Sequence, residues 1–127
     1  MDWAREIRDL HEFFEAWFLG TADSIQPMLD ALVDDFTIVS PSGDVSDRVA
    51  TIAAVESARA HTSSLRIRIR GDELLAATDE LVVARYIESH DLVDRSNDRR
   101  STVVFRVDPR RPNGLRWLTV HETWLAS

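Results

Sequence analysis

From Trp3 the apolar residues recur as Trp3, Ile7, Leu10, Phe14 and Trp17, with Phe13 and Phe18 alongside. Asp2, Arg5, Glu6, Arg8, Asp9, Glu12 and Glu15 occupy the other side, and His11 falls with them on the polar side. A period near 3.6 with one apolar stripe predicts an amphipathic helix, ended by Gly20. Asp23 or Ser24 can cap a second helix with Pro27 in its first turn, where amide donors lack intrahelical partners. Ile25, Met28, Leu29, Leu32 and Val33 supply its apolar face. Phe36 to Val39 reads as a short strand stopped by the turn formers Ser40 to Asp44, and a third helix follows, capped by Ser46 or Asp47, with Val49, Ile52, Ala53 and Ala60 on one side.

After His61 the period becomes two. Leu65, Ile67 and Ile69 alternate with Arg66, Arg68 and Arg70, which predicts a strand with one buried face and one carrying three like charges. Further strands are expected over Leu81 to Val93, Ser101 to Val107 and Leu115 to Leu125, joined by turns at Asp79 and Glu80, Ser96 to Asp98, and Pro109 to Gly114. Such short connections favour antiparallel neighbours. Helices grouped before strands predict an α+β layer architecture over residues 1–127 as a single domain.

Composition narrows the partners. The chain has 127 residues, 44% of them hydrophobic, enough for one core. Its net charge of -7 argues against attraction to phosphate backbones or anionic lipid, so neither nucleic acid nor membrane is expected as a partner. All 15 basic residues are arginine, so an anion would meet planar guanidinium groups, although biased codon usage explains the missing lysine more simply. Without cysteine there is no disulfide, thiolate metal site or thiol nucleophile. No apolar signal core or membrane-length run occurs, which makes a cytoplasmic location the expectation.

Two local motifs carry a family resemblance. Asp34-Asp35-Phe36-Thr37-Ile38-Val39-Ser40-Pro41-Ser42-Gly43 resembles the first-strand signature of the SnoaL-like and DUF4440-like branch of the NTF2-like superfamily. Trp117-Leu118-Thr119-Val120-His121-Glu122 is similar to that branch's closing strand, although Thr123 stands where many relatives carry a second His. The order of elements over nearly the whole chain is also similar. The resemblance implies N-terminal helices packed in a strongly curved antiparallel sheet, a cone enclosing a pocket. In relatives that pocket serves isomerases, dehydratases, cyclases and epoxide hydrolases, or only binds a ligand or partner, so fold leaves function open.

If Ile67 and Ile69 face the pocket, parity selects one face of each neighbouring strand. The register assigned here turns Leu81, Val83, Arg85, Ile87, Ser89 and Asp91 inward, with Val103, Phe105 and Val107, and with Trp117, Thr119, His121 and Thr123. Tyr86, Glu88, His90 and Glu122 are then outward. The expected ligand wall comprises Phe14, Trp17, Phe18, Ile67, Ile69, Arg85, Ile87, Ser89, Val103, Phe105, Trp117, Thr119 and His121. His121 is a candidate for acid/base work, its ordinary pKa being near 6.5, or a His satisfied by one hydrogen bond in the sheet. Asp91 is a candidate carboxylate base or a solvated turn residue. Arg85 either clamps a ligand or pairs with Asp91, Asp34 or Asp35. His61, His90 and Glu122 show no zinc-ligand spacing, and no metal or cofactor is assigned.

Leu118, Val120 and Trp124 oppose Trp117 and His121, so the last strand is apolar on both faces and needs cover on both. A homodimer through the outer sheet face, including Val120 and Trp124, is the expectation. Three functions follow. One is a dimeric domain binding a small apolar or mildly anionic metabolite. The second is a SnoaL-like isomerase, dehydratase or cyclase using His121 or Asp91 for proton transfer and Arg85 for developing charge. The third is a protein–protein assembly module.

Overall fold

A computed structural model describes residues 1–126. The first apolar stripe folds as α1 (Trp3–Leu19), with the Asp2 carboxylate accepting from the Arg5 amide 3.0 Å away. Gly20 ends it at φ 83°, and a Cβ there would lie 2.8 Å from the Ala60 Cβ, so this position needs glycine for both conformation and space. α2 (Gln26–Ala31) is short, with Pro27 in its first turn and Ser24 Oγ accepting from the Gln26 amide. β1 (Leu32–Val39) begins four residues before the expected strand, absorbing Leu32 and Val33 from the expected helix face. β2 (Val45–Asp47) forms between the expected turn and the expected third helix, taking in both cap candidates, and Asp47 then caps α3 (Arg48–Ser57) by accepting from the Ala50 amide. Ile52 and Val55 of α3 pack on the core, whereas Val49 is exposed.

Four long strands follow: β3 (Arg66–Ala77), β4 (Leu81–Asp91), β5 (Ser96–Val107) and β6 (Leu115–Trp124). The order across the single six-stranded sheet is β2-β1-β6-β5-β4-β3. Every pairing is antiparallel except β1 with β6, which run parallel because helices and β2 to β5 intervene between them. The helices lie on one face, giving the expected α+β cone. Its core joins Ile7 and Leu10 of α1, Met28 of α2, Leu32 and Phe36 of β1, and Val82, Val103, Phe105 and Trp117 of the long strands. Phe105 and Trp117 meet edge to face at 4.9 Å between ring centres.

The faces of β4 and part of β6 are the reverse of those expected. Cross-strand partners share a face, and Ile69 pairs with Glu88 and Ile67 with His90. With Ile67 and Ile69 on the helix side, β4 therefore turns Val82, Ala84, Tyr86, Glu88 and His90 inward and Arg85, Ile87, Ser89 and Asp91 outward. On β6 a bulge is the cause. Phe105 pairs with Trp117 but Val104 pairs with Thr119, so one extra residue, Leu118, is inserted and alternation restarts out of phase. Trp117 still faces in, but beyond the bulge Val120 and Glu122 face in, and Thr119, His121 and Thr123 face out. Val120 belongs to the core, so it is not on an outer interface. Trp124 shares the inner parity, and its ring lies 4.7 Å from the Arg99 guanidinium at the rim.

Candidate functional site

Between α1, α3 and the inner face of β4, β5 and β6 lies a cavity of about 180 Å³. Its apolar wall comes from Leu10, Phe14 and Phe18 of α1, Met28, Phe36 and Ile38, Val55 of α3, and Trp117 and Val120 of β6. The backbone fixes this wall at the rim, where the Ala60 amide donates to the Trp17 carbonyl at 3.1 Å and ties α3 to the end of α1. Six titratable side chains interrupt it: His11, Tyr86, Glu88, His90, Arg99 and Glu122.

The His11, Glu88 and His90 group is built from a helix and one strand. His11 is buried, with Nδ1 2.7 Å from the Ile7 carbonyl oxygen and Nε2 3.0 Å from Glu88 Oε1. A carbonyl can only accept, so Nδ1 carries a proton; an ionised carboxylate also only accepts, so Nε2 carries one too. His11 is therefore an imidazolium inside the fold. Burial works to lower its pKa, but the charge and hydrogen bond of Glu88 and the Ile7 carbonyl outweigh it and raise the pKa. Burial works equally against the Glu88 carboxylate, yet His11 and His90 together hold its pKa far below the ordinary value. His90 Nε2 donates to Glu88 Oε2, which leaves Nδ1 as its free nitrogen among the described residues.

Arg99 and Glu122 form a looser pair. Arg99 faces Glu88 across β4 and β5, and Nη2 donates to Asn97 Oδ1 at 3.3 Å. Nη1 stands 3.6 Å from Glu122 Oε2, beyond hydrogen-bond length. Burial, then the charge of Glu88, raises the Glu122 pKa, with Arg99 opposing. Tyr86, also on the wall, has its pKa pushed well up by burial and the two nearby carboxylates. Among the described residues no group of three or more His, Asp or Glu side chains is arranged to hold a metal ion.

Of the residues expected to line a pocket, Phe14, Phe18 and Trp117 do so. Trp17 is buried beside the cavity, its Nε1 donating to the Val55 carbonyl at 2.7 Å, while Val103 and Phe105 are sealed in the core beneath it. Ile67 and Ile69 face α1 but line a separate groove with Arg8 and Glu12. The three expected catalytic residues lie outside. His121 is exposed on the outer face opposite Thr102. Asp91 is held by Arg68 and by Ser96 Oγ at 2.8 Å, and hydrogen bonds from these two keep its pKa low. Arg85 pairs with Glu73 at 2.7 Å on the outer surface. Ile87, Ser89 and Thr119 are likewise outward; Thr119 Oγ1 lies 3.0 Å from Thr37 Oγ1, and Ser89 is covered by its cross-strand neighbours Arg68 and Asp98.

The charged residues that meet at the cavity are the ones the sequence pattern does not place there. His11 had a signal, since Ile7, His11, Phe14 and Phe18 fall at helical spacings of four, three and four. Glu88 and His90 share parity with Tyr86, whose aromatic ring marks the inward face. Glu122 had none, because no Gly or Pro announces the bulge at Leu118.

This geometry defines an α+β cone with an interior chamber. No protein-family model matches the chain, and no curated protein matches it. Solved structures do. An NTF2-like protein of unknown function from Pseudomonas aeruginosa is 28% identical, with a TM-score of 0.91 and 98% of each chain covered. An NTF2-like protein of unknown function in nutrient uptake from Rhodospirillum rubrum is 18% identical, with a TM-score of 0.69 over 99% of this chain and 100% of that one. The CaMKII hub of S. rosetta is 11% identical, with a TM-score of 0.72 and 95% of each chain covered. The chain is an NTF2-like protein. No helix among the described residues is long and apolar enough to cross a membrane.

Proposed function

We propose that this protein binds a small molecule in the chamber between α1, α3 and the inner face of β4 to β6. The observation that carries this reading is the wall itself: a mostly aromatic and aliphatic surface into which Glu88, His90, Arg99 and Glu122 converge. Convergent polar groups on an apolar wall are the usual form of a small-ligand site. Size limits the ligand. An apolar cavity of roughly 150 Å³ admits benzene, so about 180 Å³ suits a molecule near one ring with a polar substituent. The outward positions of His121, Asp91 and Arg85 withdraw support from proton transfer by those residues.

The test is a ring-sized fragment library screened by ligand-observed NMR and thermal shift. A ligand at a hundred times its Kd stabilises by about 2.7 kcal/mol. Val55→Phe, which adds volume to the chamber wall, should abolish binding while leaving the circular dichroism spectrum unchanged. Fragments that bind wild type and Val55→Phe equally would place binding elsewhere, and a library without hits would remove the proposal.

A second reading, self-association, is favoured by the outer sheet face, where Val83, Ile87 and Val104 are half-buried on the face opposite the helices. The CaMKII hub likeness supports it at the level of fold. Light scattering of wild type and an Ile87→Glu variant tests it; a monomer in both excludes this reading.

A further inference from the structure

The polar points of the chamber are specific enough to name a ligand class, an inference that rests on the small-molecule reading above. Two features of the wall decide it, one of charge and one of unused hydrogen-bonding capacity.

Charge comes first. His11 and Glu88 cancel as a bonded pair, and Arg99 faces Glu122. An anionic ligand would enter a space already holding the Glu88 and Glu122 carboxylates, and a cationic one would meet Arg99 and the His11 imidazolium. Either would leave a charge uncompensated in a low-dielectric interior, which is costly. A neutral ligand leaves both pairs intact.

Hydrogen bonding comes second. Each oxygen of Glu88 already takes one hydrogen bond, from His11 and from His90. Glu122 is not so served: its side chain is only 11% exposed, and it stands 3.6 Å from Arg99, beyond hydrogen-bond length. A carboxylate so enclosed and short of donors is an acceptor waiting for one, in keeping with its raised pKa. Arg99 commits Nη2 to Asn97, and its Nη1 faces the Glu122 gap. His90 offers Nδ1 as a further acceptor, since its other nitrogen is turned to Glu88. The chamber thus presents an acceptor and a donor side by side, across a gap wider than one hydrogen bond, with another acceptor on the same wall.

We infer that the ligand is a neutral, ring-sized molecule bearing an adjoining hydrogen-bond donor and acceptor, of the lactam or carboxamide kind, whose N–H donates to Glu122 and whose carbonyl accepts from Arg99. A carboxamide NH2 has a second N–H, for which His90 Nδ1 is the acceptor.

Four soluble probes test this by amide-resolved NMR titration: δ-valerolactam, cyclohexanecarboxamide, cyclohexanone and cyclohexanecarboxylate. Cyclohexanone keeps the acceptor without the donor, and the carboxylate supplies the anion. The two amides should bind at least tenfold more tightly than cyclohexanone, the step expected for a hydrogen bond to a charged group, with shifts at Glu122, Arg99 and His90. Glu122→Leu should erase that preference; Glu122→Gln, which retains an acceptor oxygen, should keep part of it and serves if the leucine variant fails to fold. Cyclohexanone binding in the chamber as tightly as the amides, or the carboxylate binding tightest, would overturn the ligand class and leave the small-molecule reading standing. No chamber binding by any of the four overturns both.

Discussion

The two faces of the strands β3 to β6 carry the same kinds of charge and use them differently. The outer face has Arg68 with Asp91, Arg70 with Asp98 and Arg85 with Glu73, all in contact with solvent. The inner face has His11 with Glu88 and His90, and Arg99 with Glu122, almost withdrawn from it. Water already solvates the outer ions, so their pairing adds little. Inside, each charge exists only because a specific partner offsets its desolvation. The density of ion pairs is therefore no guide to importance, and burial decides which pairs the fold and the ligand depend on.

The comparison can be broken at its inner side with the largest effect. Glu88→Ala would strand the His11 imidazolium and should lower stability by about 3–5 kcal/mol, the range for breaking a buried pair, measured by urea unfolding. A loss under 1 kcal/mol would mean the pair is not buried as described. Next comes Trp117→Phe, which removes the indole N–H that donates to buried Glu6 at 2.9 Å. Asn113 continues to serve Glu6 at 3.0 Å, so a loss of about 1–3 kcal/mol is expected from one forfeited bond to a charged group.

The pH dependence sharpens the same point. His11 has a folded pKa raised above 6.5, so its contribution is complete below 6.5 and disappears as pH rises through the raised value. Glu88 has a folded pKa lowered below 4.5, so its contribution is complete above 4.5 and disappears as pH falls through the lowered value. The pair contributes fully between those two ordinary values. Stability of wild type minus that of a His11→Phe, Glu88→Leu double variant should be widest in that window and narrow on both sides. The smallest effect belongs to the outer face: Glu73→Ala, which frees exposed Arg85, should change stability by no more than about 1 kcal/mol.

Much of this architecture can be read without coordinates, and the reasons for the failures are physical. The helical stripe from Trp3, the stop at Gly20, the cap at Asp47 and the alternation at Ile67 and Ile69 each follow from a local period or a local cap. The face of a strand is a relation between strands. In β4, Leu81 and Val83 alternate as well as Val82 and Ala84 do, and charge then points the wrong way, because a buried Glu88 is rational only once His11 stands beside it. The β6 bulge is a further step removed. It moves Glu122 into the chamber and His121 out of it, with a single inserted residue and no turn former to mark it.

The central claim is that the concave face holds an ionised histidine–carboxylate cluster at the ligand chamber, and the nitrogen shifts of the histidine rings test it most directly. Long-range 1H–15N spectra at pH 6.5, where an ordinary imidazole is half protonated, should show one ring, His11, predominantly protonated at both nitrogens and bonded to Glu88. A His11 ring found predominantly neutral at that pH would contradict the account.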